Sequence, residues 1–368
     1  MKFAGLSILS VFAGMVSGAQ ADVYAPIEAL RQQYKVPALA VLQLKEHQPV
    51  NSAFTGFRKQ GDPTPVQSTD QFHLGSCTKA MTATLIAMLI EEGKLQWTST
   101  LGSLFPEIAM DPAYSQVTIE MLGAHRAGLP ASMQDRALWA SLWTDSMSPQ
   151  EERQKMIQSV LALPPVSTPS SQYLYSNLGY VIFGAIIDRL TNSTWESFIQ
   201  KRLFDPLQMK SCGFGAAGNP NASSPDEPWG HVMADGVMTP VAPDLHGDNP
   251  PGMNSAGRVH CSLADWGKFL QMHADGFNGK TGLLLKPETF AKLQTSYPGQ
   301  KYTYGGWIRD TRAWAGGTVL THEGTNTFSK AVVWMAPLKN EIFMSATNFG
   351  GDGSSNVLDA AISYLITH

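Results

Sequence analysis

The chain has 368 residues, with 26 Lys and Arg against 30 Asp and Glu and a formal net charge of −4. Hydrophobic residues make up 43 % and charged residues only 15 %, below the roughly 25 % charged of an average soluble domain. That balance argues against nucleic acid or an anionic membrane surface as the main partner, and the apolar fraction is too high for a disordered chain.

Lys2, an apolar run over residues 3–16 and the small residues Gly18-Ala19-Gln20-Ala21 predict a secretory signal peptide over residues 1–21, cut before Asp22. The run is shorter than the roughly 20 residues that span a bilayer, and the best later apolar stretch, residues 80–90, has only the length of a core helix. The expectation is an exported protein, periplasmic or secreted, with no stable membrane insertion after cleavage. Residues 23–34 then predict a helix. Residues 38–44 and 51–57, rich in Val, Leu and Phe, predict two strands separated by polar turn residues. Residues 76–95 read as a helix closed by Gly93 as C-cap. Helical stretches dominate to about residue 290, interrupted by loops such as Leu163-Pro164-Pro165 and Pro250-Pro251-Gly252. Strand patterns return over residues 302–309, 317–322, 331–335 and 342–348, before a closing helix over 355–366. Strands at both ends imply an α/β fold with one sheet built from both termini, about residues 22–100 and 291–368. A mainly helical lobe, about residues 101–290, would be inserted into it. The cleft between lobes is then the place for chemistry.

Three cysteines, Cys77, Cys212 and Cys261, leave at least one unpaired in an exported protein. A Cys212–Cys261 bridge and buried free thiols both stay open. Asn192-Ser193-Thr194 and Asn221-Ala222-Ser223 fit the glycosylation pattern. Several motifs fail on inspection. No Gly-x-Ser-x-Gly elbow occurs. His322-Glu323 lacks the second histidine of a zinc-protease helix, because Asn326 takes its place. Residues 213–218 spell GxGxxG but run into Asn219-Pro220, which cannot open a helix, and read as a loop. No cofactor and no metal are expected.

Ser76-Cys77-Thr78-Lys79 carries more. Residues three apart at the start of a helix share a face, so Lys79 would approach the Ser76 hydroxyl. The helix that follows is apolar nearly all round and therefore central and buried. A buried lysine with a depressed pKa can draw a proton from a serine.

Downstream, Tyr175-Ser176-Asn177 precedes a helix starting near Gly179, and His322-Glu323-Gly324 closes a strand with Thr325 after it. Ser-x-x-Lys, then Tyr-Ser-Asn, then a Lys- or His-x-Gly triplet on a late strand resembles the class C β-lactamase family, with its D-alanyl-D-alanine carboxypeptidases and bacterial esterases. Glu92-Gly93-Lys94-Leu95, His125-Arg126-Ala127-Gly128-Leu129-Pro130, Phe204-Asp205-Pro206-Leu207 and Ser262-Leu263-Ala264-Asp265-Trp266 are similar to further family blocks, so the resemblance covers residues 25 to 366. It implies a β-lactamase/transpeptidase-like fold and one catalytic domain over 22–368. It also implies Ser76 as the acylated nucleophile, with Lys79 and Tyr175 sharing the general-base work. Tyr175 would act as a phenolate or as a hydrogen-bonded relay. Asn177 would hold Lys79 and a substrate amide, and the backbone N–H groups of Ser76 and Thr325 would form the oxyanion hole. His322 would line the site, and Gly324 would let substrate approach the backbone.

Departures from the family bear on substrate. Class C β-lactamases usually carry lysine where His322 sits, and histidine is mostly neutral at pH 7. Glu323 replaces a usual Thr or Ser; strand alternation aims it opposite His322. His125 reads as a loop-holding residue and Trp307 as core. The leading expectation is an exported serine hydrolase on an ester or a D-amino-acid peptide. A true β-lactamase stands second, and a non-catalytic penicillin-fold binding or sensor protein third.

Overall fold

The computed structural model describes residues 20–144 and 146–368. Of the signal-peptide reading, residues 1–19 lie outside the described residues. The helices are α1 (Gln20–Tyr34), α2 (Thr78–Glu91), α3 (Leu101–Leu104), α4 (Ile119–Gly123), α5 (Arg136–Ser141) and α6 (Pro149–Leu161) in the first half. They continue as α7 (Asn177–Thr191), α8 (Trp195–Ile199), α9 (Asn254–Gly257), α10 (Leu263–Phe277), α11 (Pro287–Leu293) and α12 (Ser354–Thr367). None is long and apolar enough to cross a membrane among the described residues.

Strands β1 (Ala38–Lys45) and β2 (Gln48–Gly56) come from the N-terminal part. They join β8 (Ile308–Arg312), β9 (Gly317–Thr325), β10 (Lys330–Ala336) and β11 (Glu341–Thr347) in a six-stranded antiparallel sheet of order β2-β1-β11-β10-β9-β8. The register pairs Val41 with Ser345 and Val333 with His322. β1 is apolar almost throughout because both sides of the sheet are covered. Leu39 and Val41 pack with Ile27 of α1 and Leu358 and Ile362 of α12. Ala40 and Leu42, one residue out of phase, join the large core with Phe269 and Leu270 of α10.

Twelve of the 14 residues of α2 are buried. Its threonines are satisfied inside: Thr82 Oγ1 donates to the Ser255 carbonyl at 2.7 Å and Thr84 Oγ1 to the Ala80 carbonyl at 2.8 Å. Gly93 (φ 71°) lets the chain leave the helix in the left-handed region.

The sequence and the structure differ in four places. The helix expected from residue 76 opens as a 3-10 turn, Gly75–Cys77, before α2 begins. The strand expected over 302–309 starts only at Ile308; before it, Thr303 Oγ1 accepts the amides of Gly305 and Trp307 and folds the segment into a turn. The inserted region is less purely helical than expected. It holds a hairpin of β5 (Gly230–Ala234) and β6 (Val237–Val241), and it shares a small sheet, β3-β7-β4, made of β3 (Phe72–His73), β4 (Gly213–Phe214) and β7 (Val259–Cys261). Strands of two or three residues are too short to show alternation, so β4 hid inside the GxGxxG stretch. Finally, α10, assigned by sequence to the inserted lobe, packs on β1 and β11, because its wide apolar face is what covers the inner side of the sheet.

Cys212 and Cys261 form a disulfide, and Cys77 is free and buried. The bridge ties the β4 side of the small sheet to β7 across 49 residues of sequence. Replacing both cysteines with alanine is expected to lower unfolding free energy by about 2–4 kcal/mol, the usual effect of releasing a loop of this size. Urea denaturation of the double variant against the parent checks it.

Candidate active site

Ser76 sits at the centre of the 3-10 turn that feeds α2. Gly75 enters that turn at φ 50°, and a Cβ there would lie 2.2 Å from the Thr325 amide nitrogen. A Cβ on Gly324 would lie 2.1 Å from the Leu74 carbonyl oxygen and 2.5 Å from the Ser76 amide nitrogen. Two glycines thus let the end of β9 rest directly on the serine turn, backbone against backbone. No other residue permits this approach without displacing one of them.

Lys79, the second residue of α2, is completely buried. Its Nζ lies 3.0 Å from Ser76 Oγ, 2.7 Å from Asn177 Oδ1 and 2.7 Å from the Ala256 carbonyl oxygen. Burial pulls its pKa down from the ordinary 10.5 to about 7, since the charged form loses its hydration. A neutral amine has two N–H donors and one lone pair. The two short contacts use the donors, and the lone pair is left for the serine hydroxyl.

Asn177 is the first residue of α7, and Ser176 caps that helix, its Oγ accepting the Leu178 amide at 3.2 Å and donating to the Pro130 carbonyl at 2.6 Å. The preceding loop is held by His125, which adopts φ 57°. Its Nδ1 accepts the Ser176 amide at 3.1 Å, its carbonyl accepts the Leu174 amide at 2.9 Å, and its ring lies 4.3 Å from that of Tyr175. His125 therefore fixes Tyr175 from both sides in sequence. Burial pushes the Tyr175 phenol pKa up, and the nearby Ser76 hydroxyl offsets this only in part. The phenolate form expected as one option is disfavoured for this reason; the neutral hydroxyl remains.

His322 faces the inner side of the sheet, paired with Val333, while Glu323 faces the other side and is exposed. The His322 Nε2 lies 3.1 Å from the Tyr302 hydroxyl. Burial and then the Lys79 charge pull its pKa down to about 3, so it is an uncharged imidazole at neutral pH. The Thr325 hydroxyl donates to the Ser329 carbonyl at 2.8 Å and accepts the Thr327 amide at 2.9 Å. Its side chain is committed to the β9–β10 turn, and only its backbone faces Gly75. Ser76, Tyr173, Tyr175, Tyr302, Ile308 and residues 322–325 line one pocket of about 310 Å³. Asn177 lies beside it, on a smaller cavity shared with Trp139 and Met253. The structure brings all seven expected site residues together. Trp307 is fully buried against Phe269 and His273, away from the cleft. A larger cavity, about 740 Å³, lies between β1, β2 and α10 and includes none of them. Among the described residues no group of His, Cys, Asp and Glu could hold a metal ion.

Several contributors escaped sequence reading. The Ala256 acceptor is a backbone carbonyl, which any residue could supply. Tyr173 and Tyr302 line the pocket without belonging to a motif. His73 and Asp248 form a buried pair, Nε2 to Oδ2 2.7 Å, and His73 Nδ1 accepts the amide of Gly75 at 3.1 Å, next to Ser76. The nearness of His73 to Ser76 in sequence was the one available signal.

With that geometry established, comparison with known proteins places the chain. A family profile for Beta-lactamase matches residues 25–365, and the chain belongs to the β-lactamase family. It is 25 % identical over 253 residues to an unguisins hydrolase from Aspergillus violaceofuscus, covering 66 % of this chain and 43 % of that protein. It is 26 % identical over 171 residues to a lovastatin esterase from Penicillium rubens, covering 42 % of each. The matched segment thus spans less than half the length of either relative. An octameric penicillin-binding protein homologue from Pyrococcus abyssi superposes with a TM-score of 0.77 at 23 % identity, covering 94 % of this chain and 77 % of that one; at this identity the likeness shows a shared fold.

Asp248 also accepts from Arg258 Nε at 3.2 Å and from the Asn249 amide at 2.7 Å. Asp248→Ala would strand a buried guanidinium and loosen the turn before Ser76. An unfolding free energy lower by about 3–5 kcal/mol is expected, read by urea denaturation.

Proposed function

We propose that this protein is a serine hydrolase that forms an acyl-enzyme on Ser76, acting on esters and on D-amino-acid peptides. The observation that carries the reading is the Lys79 Nζ contact with Ser76 Oγ at 3.0 Å, with two 2.7 Å acceptors holding the amine in place. Neutral Lys79 takes the Ser76 proton as Oγ bonds to the substrate carbonyl carbon. The oxyanion is received by the Ser76 and Thr325 amides, which the glycine-to-glycine contact of β9 with the serine turn holds in register. When the carbon–leaving-group bond breaks, the leaving group takes a proton from the Lys79 ammonium through the Tyr175 hydroxyl. Water then repeats the sequence to release the acid. Asn177 keeps Lys79 aimed and presents its amide nitrogen to the substrate.

β-Lactam turnover is the second reading. A neutral His322 and a pocket lining without Lys or Arg offer little attraction to the carboxylate of a β-lactam, which favours esters and peptides. We also propose that the protein is exported. The Cys212–Cys261 disulfide supports an oxidising compartment, as does the apolar leader in the sequence.

A fluorophosphonate probe should label the parent protein and not Ser76→Ala; equal labelling of both would sink the acyl-enzyme reading. Given a lysine pKa of about 7, kcat/KM for a p-nitrophenyl ester should climb tenfold per pH unit below pH 7 and level off above it, because only the neutral amine accepts the proton. A flat profile from pH 5 to 9 would remove Lys79 as base. Tyr175→Phe should keep its fold and lose about 10²- to 10⁴-fold in kcat, measured on the same ester. Comparing that ester, a D-Ala-D-Ala peptide and nitrocefin ranks the substrate classes; sustained nitrocefin turnover at the ester's rate would favour the β-lactamase reading.

A further inference from the structure

The inner side of the sheet is covered unevenly. Helix α10 leans closely on β1, where a Cβ on Gly267 would lie 2.8 Å from Leu44 Cδ1. The edge strand β2 lies beyond β1. Its Phe54, paired with Ala40 and so on the same side of the sheet, stays half-buried. Between these elements lies the cavity of about 740 Å³, which Leu283 and Leu284, from the segment after α10, also line. Its size falls within the roughly 300–1,000 Å³ of small-molecule sites. Its contacts with α10 run from Ala264 to Asp275, about 16 Å of helix, so the space is elongated. None of the residues lining the Ser76 pocket belongs to it.

Along α10 the lining turns polar. Asp275 Oδ2 accepts from Lys280 Nζ at 2.9 Å, while Asp275 Oδ1 accepts from Gln271 Nε2 at 3.2 Å and lies 3.1 Å from His47 Nε2. Lys268, on the same wall, pairs with Asp265 at 2.6 Å. Each lysine of the lining thus has its own carboxylate, and no charge is left over to attract an ionic ligand. Gln271 is 7 % exposed, and its Oε1 has no hydrogen-bond partner among the described residues. A carboxylate only accepts, so the amide turns its N–H toward Asp275 and its oxygen away from it. A buried acceptor without a donor carries a desolvation cost that a ligand hydroxyl would remove.

We infer that this cavity is a second ligand site, which binds an uncharged single-chain amphiphile whose hydroxyl donates to Gln271 Oε1. Fatty alcohols and monoacylglycerols are the chemical class. The alkyl chain lies along α10 against Leu42, Leu44 and Phe54, where each buried methylene is favourable. The balanced ion pairs disfavour a charged head, because burying a charge without a counter-ion is costly. The site goes beyond the hydrolase reading and does not depend on it, since no residue of the acyl-transfer machinery takes part.

Isothermal titration of the whole protein with 1-decanol, decyl methyl ether, decanoate and decylammonium tests the site, with urea unfolding curves confirming that each variant folds. One decanol should bind per chain. The ether, which keeps the chain but cannot donate, should bind about threefold to tenfold more weakly, and both ions should bind more weakly than decanol. 1-Octanol should lose roughly tenfold for its two missing methylenes. Gln271→Leu should erase the alcohol-over-ether difference while still binding the ether. Leu284→Trp, which fills the space from another element, should weaken alcohol and ether alike. Labelling Ser76 with the fluorophosphonate probe should leave decanol binding unchanged. Absence of decanol binding, an ether or an ion that binds as tightly, or a preference that persists in Gln271→Leu would overturn the inference. So would loss of binding on Ser76 labelling, which places the alcohol in the other pocket. A dimer in sedimentation that Leu284→Trp dissolves, without decanol binding, would assign the cavity to a second copy of the chain instead. Failure of the probe to label Ser76 would count against the hydrolase reading alone, because the Gln271→Leu comparison still locates the alcohol.

Discussion

A lysine whose amine is sealed from water needs a partner for every polar direction, and Lys79 finds its partners on three separate pieces of chain. Ser76 comes from its own turn, Asn177 from the start of α7 and the Ala256 carbonyl from α9. If any of the three moved by an ångström, a buried polar group would lose its bond at a cost of about 1–3 kcal/mol. The two lobes are therefore not free to drift at this point. The helix bearing the lysine, buried on all sides, is the axle on which both are mounted.

A second polar system stiffens the same region from behind. Arg153 of α6 bonds both Asp188 of α7 and Glu196 of α8; Glu196 accepts from Asn254, which accepts from Arg258. Arg258 meets Asp248, Asp248 meets His73, and His73 receives the amide of Gly75. These contacts run without a break from the helical lobe to the residue before Ser76. Buried charges of this kind add little net stability. What they supply is a fixed arrangement, since a partly satisfied network is worse than none. The serine turn, pressed by the β9 backbone on one side, is held by this chain on the other.

Much of this could be read in the residues, and the parts that could not share a physical cause. Ser76 and Lys79 were legible because one helical turn puts them on one face. The uniformly apolar text after them announced burial. The sheet's assembly from both termini followed from where the strand patterns lay. Arg153 shows the limit: it sits in Glu151-Glu152-Arg153-Gln154-Lys155, which reads as a solvated helix face, yet its side chain is fully buried. Its partners lie 35 and 43 residues away. The His73–Asp248 pair spans 175 residues, and no local pattern couples such positions. Tyr175 was found by motif but given one protonation state too many, because the burial that decides between them is a property of the packed fold.

The sheet order has a consequence for how the molecule comes into being. Ser76, Lys79, Tyr175 and Asn177 all belong to the first half of the chain, but the wall that completes their pocket is β9, and the strand pairs that hold β9 in place, β10 and β11, come later still. The first strand, β1, has neighbours in the sheet on one side only until β11 is made. A growing chain can therefore carry Ser76 and Lys79 for more than two hundred residues of synthesis without the second amide donor beside them. Contacts this distant in sequence close late and slowly. Assembly of the last strands is at once the step that finishes the fold and the step that arms the serine.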